Sequence, residues 1–205
     1  MEEIVNSVTH GVALLLSVAG IALLIVLGSL KGDVWRLVSF SVYGVTLIIL
    51  YTASTLYHSL HATRAKDVLR VIDHSAIYLL IAGSYTPFAL VSLRGGWGWS
   101  IFGVTWLLAI MGIAVKIFYM KKSLFISTAF YLAMGWLAVI AIRPVLQRLP
   151  AKGVAWLLAG GACYSIGAIF HFFKKTAFMH SIWHVFVMAG SICHYFAVLF
   201  YVLPM

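Results

Sequence analysis

Long apolar runs separated by short charged clusters make up nearly the whole chain, and that alternation leaves few folds open to it. Reading between charges, glycines and prolines gives seven runs, at 9–29, 36–60, 71–93, 98–118, 123–142, 153–173 and 180–203. Each is close to the roughly 20 apolar residues that a spanning helix needs, so seven use about 147 residues and leave no room for a soluble domain of ordinary size. With 63% hydrophobic and 9% charged residues, the composition excludes a soluble globule, whose charged share is about 25%. The sequence predicts an all-α fold in which residues 1–205 form one seven-transmembrane-helix bundle. The 17 glycines suit this class, because small residues let membrane helices approach closely.

The basic balance has an ordinary membrane explanation. A net charge of +9 can indicate nucleic acid or acidic substrates, but here Lys and Arg sit in short clusters flanking apolar runs. No nucleic-acid partner is predicted. Seven alternating spans place the N-terminus and loops 2, 4 and 6 on one side. That side carries Arg64, Lys66, Arg70, Lys116, Lys121, Lys122, Lys174 and Lys175, against Lys31, Arg36, Arg94, Arg143, Arg148 and Lys152 on the other. The positive-inside rule then predicts a cytoplasmic N-terminus and an external C-terminus. Met1-Glu2-Glu3 is acidic where a cleavable signal begins basic, so the first helix is read as permanent. Cys163 and Cys193 fall within apolar runs and read as small buried hydrophobes. Pro87, inside the third run, should kink that helix or free a carbonyl.

Ionisable side chains inside spans are costly, about 2.5 kcal/mol or more for a central aspartate, so each asks for a partner or a task. His10 opens the first run, His58 closes the second, Asp73 and His74 open the third, His171 closes the sixth, and His180 and His184 open the seventh; His194 alone lies deep. Alternating topology brings Ser54, His58, Asp73, His180 and His184 to within about 10 Å of the N-terminal face. Polar chemistry is therefore expected in one leaflet.

His180 and His184 are an i, i+4 pair on one helical face, an offset that Ser54 and His58 repeat. Such a pair plus a third histidine offers three neutral nitrogens to Zn²⁺ and leaves the fourth tetrahedral position open, as catalytic zinc sites do. Asp73 would bind the metal, hold water or orient an imidazole. The spacing alone also suits interfacial histidines that hydrogen-bond carbonyls, and a three-histidine site could take copper or nickel. Glu3, Asn6 and His10 form a polar stripe, read either as a solvated first turn or as support for the metal ligands. His61, His74 and His171 are assigned interfacial or supporting roles. His194 lies about 15 Å deeper than His184 and 80° off its face, so a buried hydrogen bond is expected there.

Glu3-x-x-Asn6-x-x-Thr9-His10, Ser54-x-x-x-His58, Asp73, His180-x-x-x-His184 and His194-Tyr195 together resemble the hemolysin III branch of the progestin and adipoQ receptor family. The resemblance covers essentially the whole chain. It implies a zinc ion near the cytoplasmic leaflet, held by His58, His180 and His184, with Asp73 and Ser54 in the catalytic positions. Lacking the long soluble N-terminal region of eukaryotic receptor members, the sequence looks more like a short bacterial protein of the cell membrane. The metal constellation is also similar to that of alkaline ceramidases, which implies hydrolysis of a lipid amide or ester. In that chemistry zinc acidifies water toward a pKa of about 7, Asp73 takes or orients the proton, and Ser54 donates a hydrogen bond to the developing oxyanion.

Two other functions stay open: a membrane-state sensor or receptor with lipid as ligand, and a pore-forming cytolysin. A pore needs polar lining through the full depth, and the half of the chain remote from the histidines offers only Ser, Thr, Tyr and Trp. The sequence sets no oligomeric state.

Overall fold

The computed structural model describes residues 1–61, 64–118, 124–173 and 176–205. The helices are α1 (Glu2–Ser29), α2 (Val34–Ser59), α3 (Arg64–Pro87), α4 (Gly96–Phe118), α5 (Leu124–Gly135), α6 (Ile142–Arg148), α7 (Ala151–Phe172) and α8 (Met179–Ala197). A π turn at Phe88–Ser92 extends α3, another at Val198–Val202 extends α8, and a 3₁₀ turn at Trp136–Val139 follows α5. Six of these helical segments are long and apolar enough to cross a membrane, and α5 through α6 make a seventh when the bent pair is taken as one span. Among the described residues the architecture is the all-α bundle that the apolar runs predict.

Helix ends follow local chemistry. Asp33 caps α2 by accepting the Trp35 N–H at 3.0 Å and also holds Arg36 at 2.9 Å. Pro150 opens α7, where a missing N–H costs nothing. Pro87 does not break α3; the helix loosens behind it into the π turn, where the Leu93 N–H reaches back to the Phe88 carbonyl at 2.8 Å. Two ends differ from expectation: α1 begins at Glu2 rather than residue 9, and α3 at Arg64 rather than 71. Both extensions carry charged or polar residues, which the search for apolar runs leaves out by construction.

The fifth run, expected as one helix over 123–142, forms α5 and the 3₁₀ turn, and at its end the chain bends by 56° into α6, most of which lies beyond the run. The backbone loosened where α5 passes into the 3₁₀ turn is met by side chains from other helices: the Tyr85 hydroxyl donates to Gly135 O at 2.6 Å and accepts the Ala138 N–H at 2.9 Å. The Trp136 indole N–H donates to Ser165 Oγ at 3.0 Å. Irregular backbone survives at membrane depth only with such partners.

Around the bundle α1 packs on α2 and α8, α3 on α2, α4 and α5, and α7 on α5 and α8, so the helices close into a ring. Close approach depends on glycine at two crossings. A Cβ at Gly44 would fall 1.6 Å from Ile21 Cδ1, and one at Gly83 would fall 2.0 Å from Thr46 Oγ1. The apolar core runs through α2, α3, α7 and α8 and includes Phe40, Tyr43, Tyr51, Val198 and Val202. Lys121, Lys122, Lys174 and Lys175, which carry much of the charge asymmetry, lie outside the described residues.

Candidate metal centre

Antiparallel packing puts the starts of α1, α3 and α8 beside the end of α2. His180 and His184, one turn apart on α8, face each other through their Nε2 atoms at 3.2 Å. His58, near the end of α2, joins them: one ligand atom from each of the three histidines lies within 4.8 Å of the others. Two imidazole nitrogens about 2.05 Å from one zinc, at a tetrahedral angle, sit about 3.3 Å apart, so the α8 pair already has the spacing of a shared metal.

The third ligand is oriented from outside. Glu3 Oε2 lies 2.5 Å from His58 Nδ1, so Nδ1–H donates to the carboxylate and Nε2 carries the lone pair. That Nε2 is buried and has no protein partner. A carboxylate on the distal nitrogen fixes tautomer and ring direction in metal-binding histidines and raises their basicity. The other Glu3 oxygen takes a 3.0 Å ion pair from Lys66, whose ammonium also donates to Leu60 O at 3.0 Å. Glu3 is thereby held between α2 and α3. Three neutral imidazoles without a thiolate are a donor set suited to zinc and leave room for one further ligand; the residues present fit the ion.

Ser54 and Asp73 are both buried and lie against each other on the wall of the same cavity as His180 and His184. Asn6 Oδ1 accepts the Ser181 hydroxyl at 2.6 Å and ties α1 to α8 just outside the histidines. His10 is buried and stacks on His184, ring centroids 3.7 Å apart and planes 15° from parallel. The structure therefore brings Glu3, Asn6, His10, His58, His180 and His184 together, and sets Ser54 and Asp73 on the cavity that His10, His180 and His184 also line.

The other histidines separate by role. His74 Nδ1 donates to Arg70 O within α3 at 2.7 Å, and His61 is exposed past the end of α2. His194 lies deep, its Nε2 3.4 Å from Leu157 O, the buried contact that its offset from His184 predicts. His171 is more central than an interfacial role implies. It is buried, lines the cavity, and its ring sits 5.6 Å from that of His180 and 5.1 Å from Trp183. Its position at the end of the sixth apolar run, on the same face as the other histidines, was the available signal.

Below this polar cluster the cavity, about 180 Å³, continues into the bundle between α3, α5, α7 and α8. Its deeper walls are mostly aliphatic and aromatic, among them Ile77, Phe88, Leu132 and Val187, with Ser84, Ser165 and His194 also on the lining, and the bend between α5 and α6 forms one side. A polar head and an apolar tail would each meet matching surface there.

The chain has relatives among known proteins along almost its whole length. The chain is 48% identical over 203 residues to "Hemolysin-3" of Bacillus cereus, covering 99% of this chain and 93% of that protein. It is 47% identical to the "Hemolysin-3 homolog" of Bacillus subtilis (strain 168), over 98% of this chain and 94% of that one. A more distant relative is the human "Monocyte to macrophage differentiation factor", 28% identical over 96% of this chain and 83% of that protein. Residues 1–195 match the model of the haemolysin-III-related proteins, and the chain belongs to that family.

Proposed function

We propose that this protein is a zinc-dependent hydrolase of a membrane-lipid amide or ester, seated in the plasma membrane of a bacterium with its N-terminus in the cytoplasm. The observation that carries the reading is the convergence of His58, His180 and His184, the last two of which line a mostly apolar cavity together with Ser54 and Asp73. Zinc in such a site supplies Lewis acidity and brings the pKa of water toward about 7.

The chain's own residues divide the remaining work. The apolar walls take the acyl tail, which leaves the scissile carbonyl beside the polar cluster. The Asp73 carboxylate accepts a proton from the attacking water and returns it to the departing amine or alcohol oxygen, so that one water is consumed and acid and amine, or acid and alcohol, are released. Ser54 Oγ–H donates to the carbonyl oxygen as negative charge develops there. Glu3 keeps the His58 ring in register, and Asn6 fixes α1 against α8.

The relatives' names favour a second reading, a pore or cytolysin. A conducting path needs polar groups or water along its length, and the mostly apolar lining of this cavity supports the hydrolase instead. The test is metal analysis of purified protein together with release of fatty acid from a panel of amide and ester lipids, with His180→Ala and His184→Ala in parallel. Zinc-dependent turnover lost in both variants supports the hydrolase. Zinc without turnover on any lipid class rejects it in favour of a sensor, and dye release from liposomes by the monomer at low dose favours the pore.

A further inference from the structure

Three helices are joined in a closed circuit that begins and ends on α8. The Ser191 hydroxyl, two turns beyond His184, accepts from the Tyr51 hydroxyl of α2 at 2.8 Å and meets the Tyr164 hydroxyl of α7 at 2.9 Å. The Tyr51 ring, itself buried, presses against the His10 ring of α1 edge to face, at 5.0 Å and 80°. His10 in turn covers one face of His184 in the near-parallel stack. His58 approaches the same ring at 4.8 Å and 73°. His184 cannot rotate about its ring torsion without driving an edge into His10, and His10 cannot retreat without displacing Tyr51.

We propose that His10 is a positioning residue, which through its ring face holds the His184 imidazole in the plane required for metal binding, with Tyr51 and Ser191 as its backing. His10 is only 3% exposed, with its ring stacked on His184 and met at the edge by Tyr51. The aromatic surface is therefore the feature this contact uses. Loss of groups that orient metal ligands typically weakens metal affinity by about 10–100-fold.

This inference rests on the metal reading above, and one experiment separates the two. Zinc affinity is measured by chelator competition for the full-length protein in detergent, for wild type, His10→Ala, His10→Phe and Ser191→Ala, with cobalt(II) absorption as a readout of ligand geometry and metal-free melting temperature as a control for folding. The expected results are about tenfold weaker zinc binding and an altered cobalt spectrum in His10→Ala, and near-wild-type binding and spectrum in His10→Phe. Ser191→Ala, which touches none of the three ligands, is expected to weaken binding by a few-fold and carries the test if a His10 variant fails to fold. Binding in His10→Ala or Ser191→Ala equal to wild type overturns the positioning role, as does His10→Phe binding as weakly as His10→Ala. A wild-type protein that takes up no zinc removes the metal reading and this inference with it.

Discussion

Glu3 on the first turn of α1 places Oε2 2.5 Å from Nδ1 of His58, a residue 55 positions further along the chain. The contact makes the start of the first helix part of the candidate metal centre, because it dictates which His58 nitrogen is left to face His180 and His184. Glu3→Ala should weaken zinc binding by about 10–100-fold. Glu3→Gln, whose amide oxygen can still accept from Nδ1, should fall between the two. Chelator competition on the purified variants checks the order.

Asp73 touches Ser54 and lines the cavity, but lies outside the group of three histidines. Asp73→Asn keeps shape and removes the proton acceptor. It should lower lipid hydrolysis by about 10²–10⁴-fold while zinc content stays at the wild-type level. Loss of zinc together with activity would make Asp73 a ligand instead, and the two are read from the same preparations by elemental analysis and product release.

Metal removal should destabilise the folded bundle, since the ligands come from α2 and α8 and both must be in place to bind. At free zinc about 100 times the dissociation constant, linkage gives about 2.7 kcal/mol of stabilisation. Chelation should lower the melting temperature of wild type and leave His180→Ala and His184→Ala unchanged. Thermal melts in detergent with and without chelator make the comparison.

The 3₁₀ turn that follows α5 should depend on Tyr85. Tyr85→Phe strips Gly135 O and the part-buried Ala138 N–H of a shared partner, and an unpaired group taken out of water costs up to about 1–3 kcal/mol. Faster proteolysis or hydrogen exchange confined to 134–142, with the three histidines still binding zinc, is the expected outcome.

These cases also show where the sequence is readable. The spans are visible because apolar length is a one-dimensional property, and the histidine cluster is visible because α8 presents His180 and His184 on one face while alternating topology returns His58 to the same end. Glu3 could be grouped with them by depth alone. The 3₁₀ turn at the end of the fifth run and the bend after it could not be foreseen: 123–142 is as apolar as its neighbours, and the groups that partner the turn, Tyr85 and Ser165, belong to α3 and α7. The circuit through Tyr51 and Ser191 was hidden for the same reason. Its only trace in the sequence is that Tyr51 precedes His58, and Ser191 follows His184, by seven residues, two helical turns on the same face.

Crystals of the zinc-loaded protein, with anomalous scattering recorded on both sides of the zinc absorption edge, test the central claim most directly. The account predicts one strong zinc peak enclosed by Nε2 of His58, His180 and His184, each about 2.0–2.1 Å away. A peak elsewhere, or none at this position in protein that elemental analysis shows to contain zinc, contradicts it.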